Sequence, residues 1–160
     1  MASSSSSGGD RKYDVFLSFR GEDTRKTFVG HLYGALNQTT MNAYQDSKDL
    51  EKGNNILKLL NVIEDSRISI VVLSQDYASS KWCLRELAKI MDCRDNKKQI
   101  VVPIFYDVDP SDVRNINGTF ADGFAKHGAN SQLAKEELES WRLALTRVGD
   151  LSGWDSRKYE

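Results

Sequence analysis

The chain of 160 residues is long enough for one domain that buries roughly two thirds of the surface its unfolded form exposes. Its 22 basic and 23 acidic residues leave a net charge of −1, which excludes a strong overall attraction to nucleic acid or anionic lipid but not a local basic patch. No apolar run reaches the length of a membrane span, and the Ser- and Gly-rich start predicts a disordered tail over residues 1–11 rather than a signal peptide.

The first part of the chain predicts two strand and helix pairs. An apolar strand over residues 13–19 is followed by a polar turn, and a helix opens at Asp23 or Thr24 and runs to about Gln38. A short strand over 42–45 and a charged loop over 46–53 lead to a second helix, and Gly53 suits a turn closed to other residues. The expected buried faces are Phe28, Leu32, Ala35 and Leu36 in the first helix, and Ile56, Leu59, Leu60 and Ile63 in the second.

The centre of the chain predicts a buried strand and the helix that follows it. The β-branched run over residues 68–74 is typical of a strand covered on both faces. Ser79 or Ser80 caps the helix, because a serine oxygen accepts one of the orphan N–H groups at a helix start. Trp82 and Glu86 are four residues apart, which puts an aromatic ring beside a carboxylate. Both are expected to lie off the buried stripe, which consists of Leu84, Leu87, Ala88 and Met91.

The last part of the chain completes an alternation of strands and helices. Pro103 interrupts a strand over residues 99–106 and places that strand near the sheet margin, because proline lacks a ladder donor. Ser111 is expected to cap a short helical turn, and Phe120 and Phe124 lie at helical spacing. A helix over 133–148 and a short strand over 151–154 follow. This alternation predicts a doubly wound parallel α/β sheet, in which ligands bind beyond the carboxyl ends of the strands.

Several common sites are excluded by their motifs. The sequence holds no dinucleotide-binding, phosphate-loop, nucleophile-elbow or zinc-protease motif. His31 and His127 are too few and too far apart for a zinc site. Cys83 and Cys93 lie ten residues apart on one predicted helix, too far for a disulfide, so both are expected to be reduced thiols in a cytoplasmic protein.

Four motifs in order resemble a known family. The runs YDVFLSFRGEDTR over 13–25, DSKDLEKG over 46–53, SKWCLREL over 80–87 and PIFYDVDPSDVR over 103–114 closely resemble the TIR domain of plant intracellular immune receptors. The resemblance covers residues 12–160. It implies a flavodoxin-like fold, with a five-stranded parallel sheet, helices on both faces, and the final helix of the family missing or truncated. Family receptors continue into further domains and act in the cytoplasm or nucleus.

The resemblance also implies an activity. Such domains self-associate with other TIR domains and then cleave NAD or NADP, as substrate rather than cofactor, at the nicotinamide–ribose bond. It places the catalytic carboxylate on Glu86 and sets Arg20, Gly21, Gly53 and Trp82 around the nucleotide. The 46–53 loop gates the pocket in the family and contacts a neighbouring subunit. Family members also cyclise nucleotides derived from nucleic acid, an activity associated with the position of Cys83.

Simpler interpretations stand beside each of these roles. Glu86 has Lys89 three residues away as an ordinary surface partner, Trp82 could be a core residue, and Cys83 could be a small buried apolar side chain. The family commonly carries a Ser-His pair on its first helix for self-association, where this chain has Gly30 and His31. The leading hypothesis is an NAD nucleosidase activated by self-association. The alternative is a module that signals only by binding other TIR domains.

Overall fold

The computed structural model describes residues 13–20, 28–39, 43–45, 56–128 and 135–156. The predicted tail, Gly21, Gly53 and the 46–53 loop lie outside these residues, and so do residues 157–160, to which the prediction of a truncated final helix refers. The strands are β1 (Tyr13–Ser18), β2 (Ala43–Gln45), β3 (Ser66–Leu73), β4 (Ile100–Phe105) and β5 (Trp154–Asp155). The helices are α1 (Gly30–Gln38), α2 (Ile56–Glu64), α3 (Lys81–Lys97), α4 (Pro110–Asn115), α5 (Thr119–Gly128) and α6 (Lys135–Gly149), with a 3-10 helix at Tyr77–Ser79.

The five strands form one parallel sheet in the order β2-β1-β3-β4-β5, which confirms the predicted doubly wound architecture. From β1 the chain first turns to β2 on one side, and it later crosses to β3 on the other. The β1 and β3 pair is therefore the topological switch point, where loops diverge and leave a crevice at the carboxyl edge. β5 is an edge strand, and in the described residues it pairs with Ile104 and Phe105 of β4. Pro103 of β4 lies one residue before the first of these pairs, so its strand is next to the sheet margin, as predicted.

Helices cover both faces of the sheet. Because side chains alternate along β1, Val15 and Leu17 face a core with α1, whereas Phe16 faces the larger core on the opposite side. That larger core takes its buried residues from every helix from α2 to α6, including Leu59, Leu84 and Trp141. Phe28, which precedes α1, and Leu32 and Leu36 of α1 pack against the smaller core as predicted, joined by Tyr33. Ala35 was predicted to join them and is exposed instead.

Helix α3 begins and ends at residues suited to those positions. Ser80 is the N-cap, and its Oγ accepts the backbone N–H of Cys83 at 3.2 Å. Lys98 closes the other end in the left-handed conformation. The prediction of a cap at Ser111 is wrong, because Asp109 caps α4 and its Oδ1 accepts from both the backbone N–H and the Oγ of Ser111.

Ion pairs brace α3 on both of its flanks. Lys89 donates to Glu64 of α2, and this hydrogen bond lowers the pKa of Glu64 while it raises that of Lys89. On the other side, Arg147 of α6 forms a two-pronged pair with Asp95, at 2.6 and 2.8 Å. The simpler interpretation, in which Lys89 is the surface partner of Glu86, is therefore wrong, because Lys89 pairs with Glu64 of α2.

Candidate functional site

Glu86 occupies the centre of the molecule's switch point. It lies on the second turn of α3 and is fully buried, at 0% exposure, although it was predicted to lie off the buried stripe. The start of α3 packs against both β1 and the 3-10 helix, so the flank of the apolar stripe is covered as well as the stripe itself. A carboxylate in such a place costs free energy unless polar groups meet it.

Ser18 supplies one of those polar groups. Its Oγ donates a 2.7 Å hydrogen bond to Oε1 of Glu86. Ser18 is the last residue of β1, on the same strand face as Phe16 and therefore toward α3. The carboxylate is thus tied to the carboxyl end of the strand at the switch point, the position where parallel sheets bind ligands.

Tyr77 completes a chain of buried hydroxyl groups. Its hydroxyl lies 2.8 Å from Ser18 Oγ and 3.1 Å from the carbonyl oxygen of Cys83. Ser18 and Tyr77 each have one hydroxyl hydrogen. With the Ser18 hydrogen on Glu86, the Tyr77 hydrogen lies between two acceptors, the carbonyl oxygen of Cys83 and the Oγ of Ser18. The side chain of Tyr77 is fully buried.

The other predicted site residues divide between the core and the surface. Cys83 is buried and its Sγ donates to the carbonyl oxygen of Phe19 at 3.5 Å. Trp82 is half-buried one turn before Glu86, and Arg20 is exposed two residues beyond Ser18. The structure therefore brings Arg20, Trp82 and Cys83 to the same carboxyl edge as Glu86. Gly21 and Gly53 lie outside the described residues.

The residues predicted for self-association lie elsewhere. Gly30 and His31 begin α1 and are both exposed, on the sheet face opposite α3. Cys83 and Cys93 are free thiols, as expected, and burial raises the pKa of the Cys93 thiol. In the described part of the chain, no cluster of three His, Cys, Asp or Glu side chains could hold a metal ion.

The sequence is similar to a known domain family and to curated plant proteins. The TIR domain family matches residues 12–160. The chain belongs to the TIR domain family. This TIR domain is 53% identical over 154 residues to the TMV resistance protein N of Nicotiana glutinosa. The alignment covers 96% of this chain and 13% of that protein. It is 51% identical over 146 residues to the disease resistance protein RUN1 of Vitis rotundifolia, covering 89% of this chain and 11% of that protein.

A solved structure agrees with the fold of this TIR domain. The TIR domains in the structure of the activated Roq1 resistosome, which directly recognises the effector XopQ, superpose with a TM-score of 0.82 at 50% identity. That alignment covers 92% of this chain and 90% of the other. The chain spans only about a tenth of the length of the two curated relatives. Among the described helices, none is long and apolar enough to cross a membrane.

A groove on the outer side of α3 is separate from Glu86. It has a volume of about 990 Å³ and lies between α3 and α6 of this TIR domain. Ion pairs join its two walls, from Arg85 to Glu137 and from Arg147 to Asp95. Glu86 does not line this groove.

Sequence reasoning missed Ser18 and Tyr77. One signal for Ser18 was available, because it is a polar residue on the inward face at the end of an otherwise apolar strand. Tyr77 gave no such signal. Its hydroxyl meets Ser18 across 59 residues of chain, and only the packing of the 3-10 helix brings the two together.

Proposed function

We propose that this TIR domain hydrolyses NAD or NADP at the nicotinamide–ribose bond when several copies assemble, and that this reaction serves immune signalling in the cytoplasm or nucleus. The supporting observation is the fully buried carboxylate of Glu86, held by Ser18 at the switch point of the sheet. A buried ionisable group in the crevice of a doubly wound sheet is a candidate for chemistry. In this proposal Arg20, Trp82 and Cys83 line the nucleotide pocket, together with Gly21 and Gly53.

The reaction requires only one carboxylate. The nicotinamide of NAD is already cationic, so when the bond to ribose breaks, its electron pair passes to the ring nitrogen and nicotinamide leaves neutral. No general acid is needed, unlike ordinary glycoside hydrolysis, where the leaving oxygen must be protonated. The sugar that remains resembles an oxocarbenium ion, which Glu86 stabilises electrostatically. Water then adds to the sugar carbon and releases a proton, giving ADP-ribose from NAD.

A neutral residue would serve equally well if Glu86 were only a structural tie. Gln99 shows this at the opposite edge of the sheet, where its amide satisfies Ser69 and two backbone carbonyls without a charge. Retaining a carboxylate at a fully buried position carries a desolvation cost that glutamine would avoid. This contrast supports a role for the negative charge of Glu86 in stabilising developing positive charge.

The burial of Glu86 explains why the proposed activity depends on assembly. At 0% exposure Glu86 does not touch solvent, so a nucleotide reaches it only after the residues that cover it move. Contact with a second copy would supply the free energy for that movement. The resistosome structure supports this view, because its TIR domains belong to an activated assembly.

The test compares Glu86→Gln with the unmodified domain. Purified protein is incubated with NAD at high concentration with a crowding agent, and nicotinamide release is followed by chromatography. We expect Glu86→Gln to abolish release, whereas the control Glu139→Gln, on an exposed glutamate of α6, leaves it unchanged. Equal rates in Glu86→Gln and the unmodified protein would refute the catalytic role.

The second candidate is a module that signals only by binding other TIR domains. The complete burial of Glu86 and the exposed Gly30 and His31 of α1 favour it. In that case the assembled domain releases no nicotinamide, and His31→Ala lowers self-association measured by size-exclusion chromatography over a range of concentrations. Nucleotides derived from nucleic acid are an alternative substrate class, and Cys83→Ala would then lower cyclisation more than it lowers NAD cleavage.

A further inference from the structure

We propose that Ser18 and Tyr77 are positioning residues for Glu86, acting as a buried hydroxyl relay that fixes the carboxylate for catalysis. The inference rests on the proposed function. Its basis is the sequence of short contacts from the Tyr77 hydroxyl to Ser18 Oγ at 2.8 Å, and from Ser18 Oγ to Glu86 Oε1 at 2.7 Å.

The direction of donation gives the relay its chemistry. Ser18 donates its hydrogen to the carboxylate, and Tyr77 shares its single hydrogen between the oxygen of Ser18 and the carbonyl oxygen of Cys83. The part of that donation that reaches Ser18 polarises its O–H bond and strengthens the bond to Glu86, because consecutive hydrogen bonds in a low dielectric reinforce one another. The relay therefore fixes one oxygen of Glu86 in a chosen direction.

Both ends of the relay stand on rigid structure. Ser18 ends β1, which pairs with β2 and β3 on its two sides. Tyr77 lies in the 3-10 helix, against which α5 packs closely. A Cβ added to Gly123 of α5 would lie 2.9 Å from the backbone N of Ser79, and the ring nitrogen Nε2 of His127 lies 2.9 Å from the carbonyl oxygen of Ala78.

The same rigidity implies that the relay survives the uncovering of Glu86. Glu86 lies between Leu84 and Leu87, both at 0% exposure in the larger core, and Ser18 is equally buried. Moving these residues apart would open a packed interior, which is costly. Access for a nucleotide therefore comes from displacement of the covering residues, with Ser18 and Glu86 kept in register.

The kinetic experiment uses Ser18→Ala and Tyr77→Phe in the full chain. Loss of the donor to Glu86 lets the carboxylate rotate, and a misplacement of this kind lowers kcat by about 10- to 100-fold. KM stays within about twofold, because Ser18 is buried beneath Glu86 and does not contact the nucleotide. Tyr77→Phe leaves the bond from Ser18 to Glu86 in place, so we expect a smaller loss of about two- to fivefold.

Ser69→Ala is the matched control. Ser69 is also a fully buried strand serine, and its Oγ donates a 2.7 Å bond to Gln99 Oε1. Its loss removes the same kind of hydrogen bond, one in which Glu86 takes no part. We expect both alanine variants to lower the melting temperature to a similar extent, but only Ser18→Ala to lower kcat per folded molecule.

A spectroscopic measurement tests the relay apart from activity. In protein labelled with ¹³C at glutamate carboxyl groups, the Glu86 signal is identified by its absence from Glu86→Gln. We expect that signal to shift in Ser18→Ala, to shift less in Tyr77→Phe, and to stay in place in Ser69→Ala. Ser18→Cys, which keeps a weak donor of similar shape, gives an intermediate kcat and replaces Ser18→Ala if the alanine variant does not fold.

The outcomes separate the two proposals. If the unmodified domain releases nicotinamide and Ser18→Ala matches or exceeds its kcat, the positioning role is wrong while the proposed function stands. If the unmodified domain releases none when assembled, the proposed function is wrong and the positioning role falls with it. An unshifted Glu86 signal in Ser18→Ala would show that the hydrogen bond itself is absent.

Discussion

Two glycines in helices are predicted to respond oppositely to the same substitution. Gly149 is the last residue of α6, and a Cβ built there would lie 2.5 Å from the backbone N and 2.7 Å from the Cα of Arg114 in α4. Ordinary contact begins at 3.4 Å, so Gly149→Ala requires a separation of about 0.9 Å between two packed backbones. Gly34 lies inside α1, where an added Cβ would meet nothing within 4 Å.

The magnitudes follow from these distances. At Gly149 the obstacle is backbone, which no rotamer change relieves, and overpacking of this kind costs about 1 to 3 kcal/mol. The gain in helix propensity, up to about 1 kcal/mol, offsets part of that cost and leaves a net loss of up to about 2 kcal/mol. At Gly34 the propensity gain stands alone, at up to about 1 kcal/mol. For a chain of this size each kcal/mol moves the melting temperature by about 2 to 4 °C.

Urea unfolding followed by circular dichroism measures both variants in parallel. Gly149→Ala should shift the midpoint to lower urea and Gly34→Ala to higher urea, with an unchanged slope in each case. If Gly149→Ala stabilises the domain as much as Gly34→Ala does, then α4 and α6 are not held at the separation described. The close approach of these two helices would then contribute nothing to the free energy of unfolding.

Three further outcomes are expected. Ser80→Ala removes the cap of α3 and lowers the free energy of unfolding by about 1 kcal/mol in urea; no change would mean that the cap contributes nothing. Lys89 holds the pKa of Glu64 below its ordinary value of 4.5, so this pair's stabilisation is present above about pH 4.5 and is lost as pH falls further; Glu64→Gln should therefore flatten the acid limb of the stability curve. A thiol reagent should react with buried Cys83 and Cys93 far faster in concentrated urea than in buffer, and equal rates would contradict their burial.

Local patterns in the sequence carry most of the fold. Apolar, β-branched runs indicate the strands, spacings of three and four indicate the helices, and their alternation predicts the parallel sheet. A helix start at Ser79 or Ser80 follows from the serine hydroxyl alone. The prediction at Ser111 was wrong because Asp109 competes for the same cap and its carboxylate is positioned to accept two hydrogen bonds. The preference of Pro110 for the first helical position was the overlooked signal.

Long-range packing decides what local patterns leave open. Glu86 looks like a surface residue from its spacing, and its burial depends on β1 and the 3-10 helix closing over the start of α3. Lys89 chooses Glu64, a residue 25 positions earlier, over a neighbour on its own helix. Pairings across such separations arise from the arrangement of the sheet, so no window along the chain contains them.

Gln99 at the amino edge of the sheet is a buried amide that donates hydrogen bonds, whereas Glu86 at the carboxyl edge is a buried carboxylate that accepts one from Ser18. Its Nε2 donates to the carbonyl oxygens of Ile63 and Ser66, each at 2.8 Å, so Gln99→Glu would set a negative oxygen against two others. Glu86→Gln is the same one-atom exchange in reverse, and there the amide oxygen still accepts the hydrogen of Ser18. Gln99→Glu should therefore lower the melting temperature, whereas Glu86→Gln should leave the melting temperature unchanged and abolish nicotinamide release.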